Sequence, residues 1–131
     1  MKKLLALVAI GFIAFSIRAA EFPDISITDV KAAIKSHKVV IIDVNGTESY
    51  NKGHVPTALN FDTIEGKLQQ ALPKDKNTLI IAYCANPRCG AYQAAAKAAS
   101  KLGYKNVKHM SAGILGWKDA GEKTEKGGKA T

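Results

Sequence analysis

Thr78-Leu79-Ile80-Ile81-Ala82-Tyr83 runs without a charge into Cys84-Ala85-Asn86-Pro87-Arg88-Cys89-Gly90, and an alanine-rich stretch then extends to Leu102-Gly103. A short, continuous apolar run bounded by turn residues is the pattern of a strand covered on both faces. Beyond it, Ala91, Ala94, Ala95, Ala98, Ala99 and Leu102 recur at alternating steps of three and one. That spacing places them on one face of a helix over residues 90–102, which Gly103 stops. So many small side chains favour close packing of the helix on a sheet. Strand, cysteine-bearing loop and helix together form the repeating unit of an α/β domain.

The flanking sequence continues the alternation. Val39-Val40-Ile41-Ile42-Asp43-Val44 is a second buried strand, and residues 107–110 form a last one. Ile25-Ser26-Ile27 reads as a short edge strand, with Thr28 capping a helix that reaches about Ser36. A short helix is expected over residues 47–52, and Gly53-His54-Val55-Pro56 turns the chain into a short strand near 58–61. Thr63 is the expected cap of a helix that turns Ile64, Leu68, Ala71 and Leu72 inward and ends at Pro73. A final helix over residues 114–120 carries Trp117. Strands alternating with helices predict an α/β fold with a mainly parallel sheet.

The 131 residues, 47% hydrophobic and 23% charged, suit one folded domain and exclude a collagen-like, coiled-coil or disordered chain. Met1-Lys2-Lys3, an uncharged run over residues 4–17 and the small pair Ala19-Ala20 have the order of an export signal. The apolar run is shorter than the roughly 20 residues that span a bilayer. The expected organisation is therefore a signal peptide over residues 1–20, a domain over 22–121 and a flexible basic tail over 122–131. Once trimmed, the protein is expected in the periplasm or outside the cell, off the membrane and monomeric.

The formal charge of +8 does not make this a nucleic-acid binder. Removing Lys2, Lys3 and Arg18 leaves 16 basic residues against 11 acidic ones. Three more lysines (Lys123, Lys126 and Lys129) lie in the tail, and the rest are scattered among acids. A nucleic-acid face needs a clustered basic stripe with interleaved aromatics. Two cysteines are too few for a multi-cysteine zinc site or a disulfide scaffold. His37 and His109 stand at no metal-ligand spacing, so neither a metal nor a cofactor is expected.

Cys84 remains as the chemically informative residue. Ligands of open α/β sheets bind at the carboxyl ends of the strands, where the next helix points free N–H groups and its positive dipole end. A thiol there is stabilised as thiolate, and Arg88 adds to the effect. From position alone, a nucleophilic sulfur and a small buried residue closing the strand are both open readings.

Five motifs now stand in register: the strand from Val39 to Val44, Gly53-His54-Val55-Pro56-Thr57-Ala58, the strand into Cys84, Gly103-Tyr104-Lys105-Asn106-Val107, and Gly113-Ile114-Leu115-Gly116-Trp117. In this order the chain resembles the rhodanese-like (sulfurtransferase) domains over roughly residues 25–121. The resemblance implies a five-stranded, largely parallel sheet with helices on both faces, and a catalytic cysteine that carries a persulfide, which falls on Cys84. The loop departs from the family pattern. Pro87 takes the place of a glycine, Arg88 comes one residue early, and Cys89 stands where an arginine is common. Asn45 replaces a frequent arginine after Asp43.

The function implied is transfer of a sulfane sulfur from a small anionic donor such as thiosulfate to a thiol or cyanide acceptor. Ala85, Asn86, Pro87, Arg88, Cys89 and Gly90 would bind the donor, chiefly through backbone N–H groups, with Arg88 attracting the anion. Cys89 is a candidate resolving thiol. His54 reads as a residue that fixes its turn, and Asp43 as a strand-end hydrogen-bonding group. Two alternatives stand beside sulfur transfer: a non-catalytic module that binds an anion or a partner, and an arsenate- or phosphate-handling enzyme.

Overall fold

The computed structural model describes residues 22–128, so the expected export signal lies outside the described residues. Helix α1 (Ile27–Ser36) leads into β1 (Val39–Asp43), α2 (Thr47–Lys52), β2 (Leu59–Asn60) and α3 (Phe61–Ile64). A 3-10 turn (Glu65–Lys67) separates α3 from α4 (Leu68–Ala71), after which come β3 (Leu79–Tyr83), α5 (Tyr92–Lys101), β4 (Val107–His109) and α6 (Gly113–Asp119). The strands lie in the order β2-β1-β3-β4, all parallel.

The two apolar runs are the central strands, paired from Val39 with Leu79 to Asp43 with Tyr83. Successive side chains of a strand point to opposite faces, so a run that is apolar throughout needs cover on both. On one face Ile42, Ile80 and Ala82 pack with Phe61, Ile64, Leu68, Ala95, Ala96 and Ala99. On the other, Ile41, Ile81 and Tyr83 pack with Val30, Tyr50, Met110, Ile114 and Trp117. Helices therefore cover both faces of a parallel sheet, as the alternation predicts. Helix α5 starts at Tyr92 rather than Gly90, and its buried side is Ala95, Ala96 and Ala99, with Ala98 and Leu102 packed against the same core, whereas Ala91 and Ala94 of the expected face are exposed.

Among the described residues the sheet has four strands rather than the expected five. The segment read as an edge strand at Ile25–Ile27 makes only a single parallel bridge, Asp24 with His109. Its bonds there are Ile25 N–H to the His109 carbonyl and His109 N–H to the Pro23 carbonyl, each 2.9 Å. Ser26, not Thr28, then caps α1, its hydroxyl accepting the Asp29 N–H at 3.1 Å. An N-cap two residues early converts the edge strand into helix.

A similar shift occurs after β2. Asn60, not Thr63, is the cap, its side-chain oxygen accepting the Asp62 N–H at 3.1 Å. The single helix expected there is broken by the 3-10 turn that contains Gly66.

The tail expected to be free from residue 122 is instead bonded to the body as far as Gly127. Trp117 Nε1 donates to the Lys123 carbonyl at 2.9 Å, and Gly127 N–H to the Asn51 carbonyl at 3.0 Å. His54 and Glu125 exchange a pair of backbone bonds, each 2.9 Å. The buried indole N–H and the backbone groups of the His54 turn need partners, and the tail supplies them.

Candidate active site

The carboxyl ends of β1 and β3 are tied together before the loop begins. Tyr83 donates its hydroxyl to Asp43 Oδ2 at 2.5 Å and accepts the Val55 N–H at 3.0 Å. Asp43 Oδ1 receives the Asn45 backbone and side-chain N–H groups at 2.8 and 3.0 Å. All of this is buried or half-buried, and burial beside the Asp43 carboxylate pushes the Tyr83 phenol far above its usual range. Asp43 thus has the strand-end role expected of it. His54 fixes its own turn: Nδ1 lies 2.8 Å from the Tyr50 carbonyl, and the ring stacks on Tyr50 with centroids 3.7 Å apart.

Cys84 follows directly at the mouth of β3 and is 1% exposed. Its sulfur accepts the N–H of Tyr92, the first residue of α5, at 3.1 Å, and its S–H donates to the Cys89 carbonyl at 3.3 Å. The intervening loop curls on itself. Asn86 Oδ1 accepts the Arg88 N–H at 2.9 Å, and the Asn86 carbonyl accepts the Cys89 N–H at 3.2 Å. These two N–H groups are consumed within the loop. The cradle expected from residues 85–90 is thus narrower than the sequence suggests. The backbone groups that favour the sulfur as an anion are those of Tyr92 and Ala85.

The floor of the site comes from α6. Ile114 N–H donates to the Cys84 carbonyl at 2.9 Å and Leu115 N–H to the Ala85 carbonyl at 3.0 Å. Gly113, at φ +65°, lies so close beneath the loop that a Cβ would stand 2.4 Å from the Ala85 carbonyl. Tyr92, whose N–H meets the sulfur, stacks its ring on buried His109 at 3.4 Å between centroids. Burial holds that imidazole below its ordinary pKa.

Cys84, expected to be favoured as thiolate, instead holds its proton. Burial pushes the Cys84 thiol up to about 12, assisted by its hydrogen bond toward Cys89, and outweighs the N–H groups of Tyr92 and Ala85. Burial also acts on Cys89. There it is outweighed by the hydrogen bond from the Cys84 thiol and by the N–H groups of Ala91 and Ala85, so Cys89 lies below its usual value. Arg88 is exposed and is not among the groups that act on the Cys84 thiol. The N–H groups at the start of α5 favour the anion, but a strand-end position this deep costs the thiolate more than one or two N–H groups return.

The loop expected from the sequence is therefore assembled around Cys84, with Cys89 against it, while Arg88 is exposed and does not act on the Cys84 thiol. Tyr92, Gly113, Ile114 and Leu115 were not foreseen as part of the site. Gly113 was legible only as one letter of a motif, because its φ and its approach to Ala85 belong to the tertiary structure.

A thiol held at the carboxyl end of a parallel strand, over the start of the next helix, defines an α/β domain with a strand-end cysteine site. Residues 26–120 match the rhodanese-like domain, and the chain belongs to that family. It is 33% identical over 91 residues to an HTH-type transcriptional regulator of Mycobacterium tuberculosis, a match covering 69% of this chain and 39% of that protein. The chain thus spans about two fifths of that relative's length. Among solved structures it is similar to the BH2092 protein of Bacillus halodurans (27% identity, TM-score 0.64, covering 79% of this chain and 77% of that one). It is also similar to a human single-domain sulfurtransferase (25% identity, TM-score 0.60, covering 74% and 96%).

Proposed function

We propose that this domain is a sulfurtransferase in which Cys84 carries the sulfur. The observation that supports it most is the placement of the Cys84 sulfur at the mouth of β3 under the Tyr92 N–H, 3.1 Å away. In the reaction, the Cys84 thiolate attacks the outer sulfur of an anionic donor such as thiosulfate. A sulfur–sulfur bond forms on Cys84, and sulfite leaves with the electron pair of the bond that breaks. A thiol or cyanide then takes the outer sulfur, and Cys84 is restored as thiolate.

The high proton affinity of Cys84 does not bar this step. The two thiols interact directly, so the first proton is lost from the pair rather than from either residue. The charge rests mainly on Cys89, with the Cys84 thiolate as the minor, reactive form. The Tyr92 and Ala85 N–H groups favour that minor form and then the anionic persulfide.

Treatment of the reduced protein with thiosulfate should add one sulfur atom to the peptide containing Cys84 and release sulfite. Cys84→Ser should do neither. A transfer rate unchanged in Cys84→Ala would exclude Cys84 as the carrier.

A second reading, a non-catalytic module that binds an anion or a partner, is favoured by one observation: Cys84 is buried and holds its proton. The similarity to part of a transcriptional regulator fits it too. Donor treatment separates the two, since a binding module releases no sulfite.

The basic start and uncharged run of residues 4–17 support export to the periplasm or beyond the cell. An intact mass from the native host that retains residues 1–19 would refute this. Among the described residues, no helix is long and apolar enough to cross a membrane.

A further inference from the structure

We propose that Cys89 resolves the Cys84 persulfide within the same chain, closing a Cys84–Cys89 disulfide and releasing the carried sulfur as hydrosulfide. The proposal rests on the sulfur-transfer reading of Cys84 and adds a reaction to it: dithiol-dependent reduction of a sulfane sulfur.

Three features of the site lead there. The first is adjacency. The Cys84 sulfur already bonds the Cys89 carbonyl at 3.3 Å, and the two side chains interact directly. The second is asymmetry. Cys84 is buried and pinned by the Tyr92 N–H, while Cys89 is half-buried, sits in the irregular loop between β3 and α5, and is free of any disulfide. One sulfur is fixed as the target, and the other lies beside it on the more exposed side of the loop. The third is acidity: the hydrogen bond from the Cys84 thiol lowers Cys89 in the reduced pair, and the Ala91 and Ala85 N–H groups, which also lower it, stay in place once Cys84 carries sulfur. In thiol–disulfide exchange the attacking partner is the thiolate, and the rate also depends on which sulfur is attacked and on the stability of the leaving group.

The step balances. The Cys89 thiolate attacks the inner sulfur of the persulfide, which is Sγ of Cys84. A Cys84–Cys89 bond forms, the bond to the outer sulfur breaks, and its electron pair leaves with that sulfur, which takes the proton given up by the Cys89 thiol, as hydrosulfide. The Cys89 sulfur is oxidised by one electron and the outer sulfur is reduced by one, while Cys84 Sγ stays at the disulfide level. A small-molecule or protein dithiol then reduces the disulfide and resets both thiols. With thiosulfate as donor, the whole cycle converts the dithiol and thiosulfate into a disulfide, sulfite, hydrosulfide and a proton. External acceptors compete with Cys89 for the persulfide, so the loop decides between passing sulfur on and discharging it.

The test uses reduced, desalted full-length protein treated anaerobically with thiosulfate and no added thiol, with sulfite, sulfide and protein mass followed together. In the wild type, sulfide should appear in proportion to sulfite, and the protein should lose two hydrogens as the disulfide forms. In Cys89→Ser, whatever its rate of sulfite release, sulfide should not follow, and the protein should retain one added sulfur on the Cys84 peptide. Wild-type protein that releases sulfite but keeps a stable persulfide and makes no sulfide overturns this proposal and leaves the sulfur-transfer reading standing. Wild-type protein that releases no sulfite overturns both. Sulfide release that persists in Cys89→Ser assigns resolution to another group and also overturns it.

Discussion

Ile114 donates its backbone N–H to the carbonyl of Cys84 at 2.9 Å, so the residue proposed to carry the sulfur is held from below by α6. Leu115 makes the corresponding bond to Ala85 at 3.0 Å. The start of α5 approaches the sulfur from the other side, through the Tyr92 N–H. Cys84 is thus clamped between two helix beginnings. One satisfies its carbonyl and the other its side chain, which fixes the sulfur's direction without any charged residue.

The clamp depends on Gly113, and Gly113→Ala should break it. The new Cβ would meet the Ala85 carbonyl carbon and oxygen at 2.4 Å and the Asn86 nitrogen at 2.7 Å, all backbone atoms. The φ of +65° adds the left-handed penalty of a non-glycine residue. A loss of roughly 2–4 kcal/mol of stability is expected in urea denaturation, from overpacking and strain together. Sulfur transfer measured where the variant is still folded should fall further than the folded fraction does. Wild-type transfer per folded molecule would show that the loop does not need this contact.

Tyr83→Phe should cost stability rather than chemistry. It leaves Asp43 Oδ2 without the hydroxyl it receives at 2.5 Å and the buried Val55 N–H without its acceptor. Unpaired buried polar groups make such a deletion cost about 2–3 kcal/mol. Equilibrium denaturation measures this directly, and a change below about 0.5 kcal/mol would mean that water replaces the hydroxyl.

The parts of the fold that read correctly from sequence are those set by local pattern. Ile80, Ile81 and Ala82 are apolar in succession because both faces of β3 are covered, while the alanine spacing of α5 marked a helix but not its inward face, since Ala91 and Ala94 are exposed and Ala96 is buried. Cap positions were less legible. Ser26 and Thr28, or Asn60 and Thr63, are all competent caps, and the choice is made by bonds to distant segments such as those of His109 with Pro23 and Ile25. At the site, the sequence located Cys84, its loop and Cys89, but not the order of their acidities. That order follows from burial and from which N–H groups the loop spends on Asn86. The role of Gly113 depends on contact with a segment almost thirty residues earlier, which no local window contains.

Removing residues 122–131 should destabilise the domain, although composition alone marks them as a dispensable tail. The deletion takes away the carbonyl of Lys123 that Trp117 Nε1 uses, and both backbone bonds between Glu125 and His54. Water reaches part of this surface and repays some of the loss, so about 1–3 kcal/mol is expected. Thermal unfolding of the truncated and full-length proteins at equal concentration provides the comparison, and an unchanged midpoint would show that these bonds contribute nothing net.

The two thiols should differ in reactivity and in their effect on alkaline stability. With Cys89 the more acidic and more exposed, brief iodoacetamide treatment of the folded, reduced protein near pH 8 should label Cys89 first. Labelling of Cys84 in Cys89→Ser should rise with pH and show no plateau below about pH 10, because burial keeps its proton in place. The same displacement links to folding. In the unfolded chain Cys84 titrates near its ordinary value of 9.0, whereas in the folded protein it holds its proton to about 12. Between these values the folded state binds more protons than the unfolded state, so stability falls as pH rises. This contribution is fully present below about pH 9 and is lost as pH rises through the folded value. Buried tyrosines add a decline of the same sign, Tyr83 and Tyr50 both being raised by burial, so the comparison that isolates the cysteine is wild type against Cys84→Ala. Between pH 9 and 10.5 the wild type should lose stability more steeply than the variant. Parallel pH profiles, or labelling of Cys84 before Cys89, would mean that the buried thiol ionises as readily as a free one.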